Sequence, residues 1–187
     1  MIWNSGNYYL STSEMEENAQ NVAKYGKIHG WTKIATAAIL GNMQAESGIN
    51  PGIWENLLAF QGGYGLVQWT PYTKYSVWAT GEGYVWADNG DAELERISYE
   101  AANNLQWFTN AELGITPPET FAQYLTDTSL DLQTATNYWL WFYEHPADPG
   151  PATQATRYSY AQNWYNFITW YEIPPWLLFK FNDWRRF

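Results

Sequence analysis

Trp31-Thr32-Lys33-Ile34-Ala35-Thr36-Ala37-Ala38-Ile39-Leu40-Gly41-Asn42-Met43-Gln44-Ala45-Glu46-Ser47-Gly48 is the stretch that decides how this chain folds. Thr32 offers a hydroxyl to cap the first turn of a helix. Ala35, Ile39, Met43 and Glu46 recur at i, i+4, i+8 and i+11, which is one helical face. The pattern predicts a helix from Thr32 to about Glu46, stopped by Ser47-Gly48 and turned aside by Ile49-Asn50-Pro51-Gly52. A carboxylate therefore ends an apolar stripe that must face the interior. Burial disfavours the charged form of a carboxyl group, so Glu46 reads as a candidate general acid at a helix end that opens onto a cleft. The alternative is a side chain that turns to solvent at the last turn.

The flanking segments read mostly as helices. Ser13-Glu14-Met15-Glu16 has capping-box spacing, and a first helix is expected over about 14–29, closed by Gly30. Thr70-Pro71 and Thr116-Pro117-Pro118-Glu119 each place a hydroxyl before a proline suited to a first helical position. Leu94, Ile97, Ala101, Leu105 and Phe108 predict a helix over about 91–108; Leu132, Ala135, Trp139 and Phe142 form a further stripe, and about 152–171 reads as a last long helix. Gln61 to Trp69 has no helical period, and its alternating small and aromatic residues suit a short strand or hairpin. The fold class is thus mainly α, an α+β arrangement of helices around one buried helix.

Length and composition narrow the possibilities. At 187 residues and 46% apolar, one core is expected. The expected domain covers 1–172, with its core at about 13–171. Pro174-Pro175 opens a linker or docking tail over 173–187, in which 176–187 could touch a membrane surface. A net charge of -10 with nine basic residues argues against binding a nucleic-acid backbone. No cysteine is present, which removes disulfides, thiolate metal sites and cysteine nucleophiles. The N-terminal residues show no secretory pattern, and no apolar run approaches the roughly 18 residues of a membrane span. Trp, Tyr and Phe make up 19% of the chain, an excess that suits sugar-binding clefts as well as core packing.

Gly41-Asn42-Met43-Gln44-Ala45-Glu46-Ser47-Gly48-Ile49-Asn50-Pro51 resembles the catalytic helix end of the bacteriophage tail lysozyme family, itself similar to goose-type lysozymes and soluble lytic transglycosylases. Gly63-Tyr64-Gly65-Leu66-Val67-Gln68-Trp69 resembles that family's groove-lining Gly-Leu-x-Gln strand. Phe142-Tyr143-Glu144 followed by Pro146 is similar to its Tyr-Glu-x-Pro helix end. The three segments occur in the family's order and span roughly Ser13 to Tyr171. The resemblance implies a lysozyme-like fold with a β-hairpin lining the cleft. It also implies cleavage of the β-1,4 bond between N-acetylmuramic acid and N-acetylglucosamine in peptidoglycan. By the same resemblance the protein would act from a phage tail during DNA entry, with other tail proteins as partners.

In that reading Glu46 protonates the glycosidic oxygen, as an oxocarbenium-like transition state requires. Gln68 would hydrogen-bond a sugar amide or hydroxyl. Gly63 and Gly65 would let the backbone approach the ring, with Tyr64 and Trp69 as flat faces or as core. Ser47 belongs to the matched helix end and is a candidate substrate contact. An inverting mechanism needs a second carboxylate roughly 6.5–9.5 Å from the acid, and Glu55 is the nearest downstream candidate. Glu144 reads as a buried acid bracing the cleft and Tyr143 as a partner of Glu46 or of substrate, with packing as the alternative. The transglycosylase-like relatives work with one glutamate, so hydrolysis and transglycosylation both remain open, as does a non-catalytic glycan-binding module on the same fold.

No cofactor or metal is called for. His29 and His145 lack partners at metal-ligand spacing. Asp88-Asn89-Gly90-Asp91 lacks the spacing of a calcium loop and reads as a turn and helix cap.

Overall fold

The computed structural model describes residues 1–170; the tail expected at 173–187 lies outside the described residues. Its centre is helix α2, Lys33–Ser47. Thr32 caps it through Ala35 N–H, and Gly48 closes it in the left-handed region at φ 62°, where a side chain would be strained. Every residue from Ala35 to Met43 is buried, so this helix is enclosed on all sides rather than amphipathic. Around it pack α1 (Thr12–Ile28), α5 (Phe121–Thr126), α6 (Leu132–Trp139) and, most extensively, α7 (Pro151–Phe167). The described residues thus form a mainly helical fold around a buried helix, with one small antiparallel sheet, as the sequence predicts.

That sheet pairs β1 (Trp54–Asn56) with β2 (Gln61–Tyr64), in the register Trp54 to Tyr64 and Asn56 to Gln61. Helices α3 (Thr73–Gly81) and α4 (Gly90–Ala102) pack together behind it. Asn89 caps α4 through Ala92 N–H, so the acidic Asp88–Asp91 turn is a helix start. Among the described residues no helix is long and apolar enough to cross a membrane.

Several boundaries differ from the sequence reading, each for a local reason. The capping box of α1 is formed by Ser11 and Glu14, not Ser13 and Glu16, because the earlier S-x-x-E pair lets the helix begin at Thr12. Thr70-Pro71 is a cis peptide before α3 rather than a helix start. Thr116-Pro117 likewise precedes its helix, which Thr120 and Gln123 cap instead. Helix α4 stops at Ala102 because Asn104 and Gln106 turn left-handed, at φ 49° and 53°, leaving Leu105 and Phe108 exposed. The Leu132–Phe142 stripe widens after Trp139 into a π-helical turn, Leu140–Glu144. Helix α7 ends at Phe167, where Ile168 becomes extended.

Candidate active site

A cleft of about 580 Å³ opens where the C-terminal end of α2, the hairpin and the π-helical turn meet. Its walls include Glu46 from α2, Glu55 from β1, Gln68 and Trp69 from the loop after β2, and Tyr143 and Glu144 from the π-helical turn. The consecutive elements α2 and β1 thus place both expected catalytic carboxylates in one concavity of ordinary ligand-binding size, which the distant π-helical turn completes.

Glu46 is partly buried, and its Oε1 accepts a hydrogen bond from the Arg157 guanidinium. Arg157 comes from α7 and is itself buried. Asn42 holds it in place, accepting from the guanidinium at both its backbone oxygen (3.3 Å) and its Oδ1 (3.2 Å). The Asn42 amide in turn donates to Ala38 O at 2.9 Å and Thr136 O at 3.2 Å, so α2, α6 and α7 are bonded at one point. Gly41 makes this crossing possible. A Cβ there would come within 2.7 Å of backbone atoms of Arg157 and Ala161.

Glu144 belongs to the same charge group. It keeps some surface at the cleft wall, and its Oε1 accepts from Trp139 Nε1 at 2.6 Å. The protein packed around its carboxyl group raises its pKa well above the usual glutamate range. The charge of Glu46 adds to that rise, while Arg157 and the Trp139 N–H oppose it. Of the two acids, Arg157 bonds Glu46 alone and acts on Glu144 only through its charge, and it is Glu144 whose protonated form the site favours.

Glu55 lies at the hairpin edge of the cleft. Its Oε2 accepts from Gly63 N–H at 2.9 Å, and its close approach leaves no room for a side chain on Gly62. Gln68 adopts φ 51°, a left-handed value uncommon outside glycine. Its Nε2 donates to Ile53 O (3.2 Å) and Gly65 O (2.9 Å), whereas its buried Oε1 has no partner within the chain.

Other expected site residues do different work. Tyr64 does not line the cleft. It is 2% exposed, its ring lies edge-on to Trp54, and its hydroxyl accepts from Asp88 N–H at 2.8 Å. Ser47 is also buried behind the wall, donating to Met43 O (3.0 Å) and Leu66 O (2.9 Å) and so tying the end of α2 to the loop after the hairpin. The open space at Gly63 and Gly65 is filled by protein rather than left for a sugar: Gln68 lies against the first and the Glu93 carboxyl group against the second. Trp69 and Tyr143 reach the cleft but are 3% and 2% exposed, so neither presents an open ring face. The hydroxyl of Tyr143 donates to Glu100, not to Glu46.

Three important residues escaped the sequence reading. Glu100 is a buried acid that accepts from Trp69 Nε1 (3.1 Å), Tyr143 Oη (2.7 Å) and Arg96 Nε (2.8 Å), pinning two cleft residues to α4. Glu93, two turns earlier on the same helical face at i–7, accepts from Leu66 N–H at 2.6 Å. Arg157 completes the Glu46 group. Glu93, Ile97, Glu100 and Ala101 share the buried face of α4 at i, i+4, i+7 and i+8, which is the signal that could have found the two acids.

A helical core around one enclosed helix, with a short hairpin and an acid presented from that helix's end into a cleft, defines a lysozyme-like protein. The chain belongs to the phage tail lysozyme family, whose profile matches residues 17–168. It is 41% identical over 167 residues to "Morphogenesis protein 1" of Bacillus phage B103, an alignment that takes in 88% of this chain and 43% of that protein. The chain therefore spans less than half the length of this relative. The family places it in the virion tail of a bacteriophage.

Proposed function

We propose that this chain is a peptidoglycan-cleaving glycosidase of the phage tail, with Glu46 as the acid that protonates the oxygen of the N-acetylmuramic acid–N-acetylglucosamine link. The observation that carries this reading is the placement of Glu46 at the end of α2, in the cleft, inside the charge group with Arg157 and Glu144. A departing sugar oxygen needs a proton donor within reach, and Glu46 is the carboxyl group that the end of α2 presents to the cleft. Arg157 fixes the direction of the Glu46 carboxyl group.

Glu55 is the proposed base. As a carboxylate held against the hairpin by Gly63 N–H, it would take a proton from water while that water attacks the sugar C1. The C1–O bond breaks, the departing oxygen receives the Glu46 proton, and the electron pair of water forms the new C–O bond. Peptidoglycan strands and tail proteins are the proposed partners, and residues 1–172 the proposed catalytic unit. Local wall penetration during DNA entry is the proposed role.

The test digests purified peptidoglycan with the wild type, Glu46→Gln and Glu55→Gln. Loss of general-acid catalysis is expected to lower fragment release by Glu46→Gln on the order of a hundredfold or more. Equal release by wild type and Glu46→Gln would remove Glu46 from the mechanism. Mass spectrometry then reads the product. A reducing sugar supports hydrolysis, whereas an anhydro-sugar with Glu55→Gln still active assigns attack to the substrate's own hydroxyl. Wall binding without fragment release from the wild type would identify a binding module.

A further inference from the structure

The segment before α1 contributes a ring that the proposed mechanism does not use. Tyr9 is 79% exposed, yet the backbone that carries it is held firmly. The Asn50 amide donates to Gly6 O (2.8 Å) and Tyr8 O (2.7 Å). Asn18 and Asn4 bond to each other in both directions at 3.0 and 2.7 Å. Asn7 joins the arm to the hairpin, accepting from Trp54 N–H (3.1 Å) and donating to Leu57 O (2.8 Å). An aromatic side chain left in solvent on a backbone this well tied is a pre-ordered platform rather than a packing residue.

The platform stands at a junction. Tyr9 and Glu55 line the catalytic cleft, and both also line a second, more open groove whose other walls are Asn56, Leu57, Gln61 and Gly62. That groove continues the cleft along the hairpin. The arm precedes the family-matched residues, which begin at 17.

We infer that Tyr9 and the hairpin groove form an additional glycan subsite that takes an uncharged N-acetylated sugar of the same strand, beyond the bond being cut. This inference rests on the reading of the cleft as a glycan site. Its chemistry follows from the lining: a phenol ring for the apolar face of a pyranose, and the Gln61 amide and backbone groups for hydroxyls and the acetamido group. The single charged side chain is Glu55, and no basic residue lines the groove. A lactyl carboxylate or an acidic stem peptide would meet repulsion there, so N-acetylglucosamine is the favoured occupant.

The test measures binding by calorimetry to the Glu46→Gln protein, with and without Tyr9→Ala or Tyr9→Phe. The ligands are peptide-free peptidoglycan strands of four and eight sugars, together with N-acetylglucosamine oligomers of matched length. Tyr9→Ala is expected to weaken the eight-sugar ligands on the order of fivefold while sparing the four-sugar ones, and Tyr9→Phe to retain wild-type affinity. Unchanged eight-sugar affinity, or an equal loss at both lengths, overturns the subsite. A Tyr9 effect confined to the alternating strands assigns the groove to the lactyl-bearing sugar and overturns the neutral-sugar assignment. Absence of binding by every ligand, with no wall digestion by the wild type, would instead overturn the reading of the cleft itself. Thermal melting of each variant checks folding, and so exposed a side chain is expected to leave it unchanged.

Discussion

Glu93 illustrates how one buried acid constrains the cleft from behind. Its carboxyl group is enclosed, with one oxygen taking Leu66 N–H and the other unpartnered, and it fills the space that Gly65 leaves at φ 79°. Burial pushes its pKa well above the ordinary value of 4.5, the charge of Asp88 adds to that, and Leu66 N–H opposes it. The folded chain therefore holds a proton that the unfolded chain releases near its ordinary pKa. The resulting stability is present in full below about pH 4.5 and is lost as pH rises towards the raised folded value. Glu144 is raised in the same sense. The melting temperature is expected to decline from about pH 5 through neutrality, and Glu93→Gln, which keeps an acceptor for Leu66, to make that decline shallower. Circular-dichroism melts across this range are the check; equal slopes in wild type and variant would refute the assignment.

At the scale of elements, the crossing of α2 and α7 is what brings Arg157 to Glu46. It depends on Gly41, where a Cβ would meet the Arg157 carbonyl oxygen and the Ala161 nitrogen at 2.7 Å. Backbone atoms cannot rotate away as a flexible side chain can, so Gly41→Ala must push the helices apart. The expected cost is about 1–3 kcal/mol, the range typical of overpacking. Because the displaced helix carries Arg157, wall-digesting activity should fall further than that loss of stability explains. Chemical denaturation, paired with activity measured well below the melting temperature, separates the two effects. Much of this arrangement was legible in the sequence. The enclosed helix, its Thr32 cap and its Gly48 stop are local signals, and they place Glu46 at a helix end without any knowledge of the rest. The partners of Glu46 were not legible, since Arg157 lies 111 positions away and its approach depends on how two helices cross. The sequence left Tyr64 and Trp69 open between flat sugar faces and core packing for a related reason. Composition shows that rings are plentiful, but only packing decides which of them face solvent, and among the rings at the cleft Tyr9 and Phe108 are the exposed ones.

At the scale of the whole molecule, the aromatic side chains among the described residues mainly build the scaffold. One cluster runs from Trp54 through Tyr64 and Tyr75 to Trp69, and another runs from Trp107 through Phe121 and Trp139 to Tyr143. Both end at the Glu100 carboxyl group, through Trp69 Nε1 and Tyr143 Oη, which makes the cleft floor a continuous packed surface. The net charge of -10 acts at longer range. Peptidoglycan and teichoic acids are themselves anionic, so the protein and its proposed substrate repel until salt screens them. The screening length shortens from about 30 Å at 0.01 M to about 8 Å at 0.15 M ionic strength. Initial rates of wall clearing are therefore expected to rise severalfold over that interval and then level off. Binding of uncharged N-acetylglucosamine oligomers should stay flat, because short-range contacts alone govern it. Turbidity assays on purified walls, run beside calorimetry with the oligomers, separate the two terms. A rate on walls that falls with salt would show that a local cationic group dominates the encounter. The last eight positions, with Lys180, Arg185 and Arg186 against Asp183, would be the place to look, since positions 1–179 carry 6 basic and 18 acidic residues.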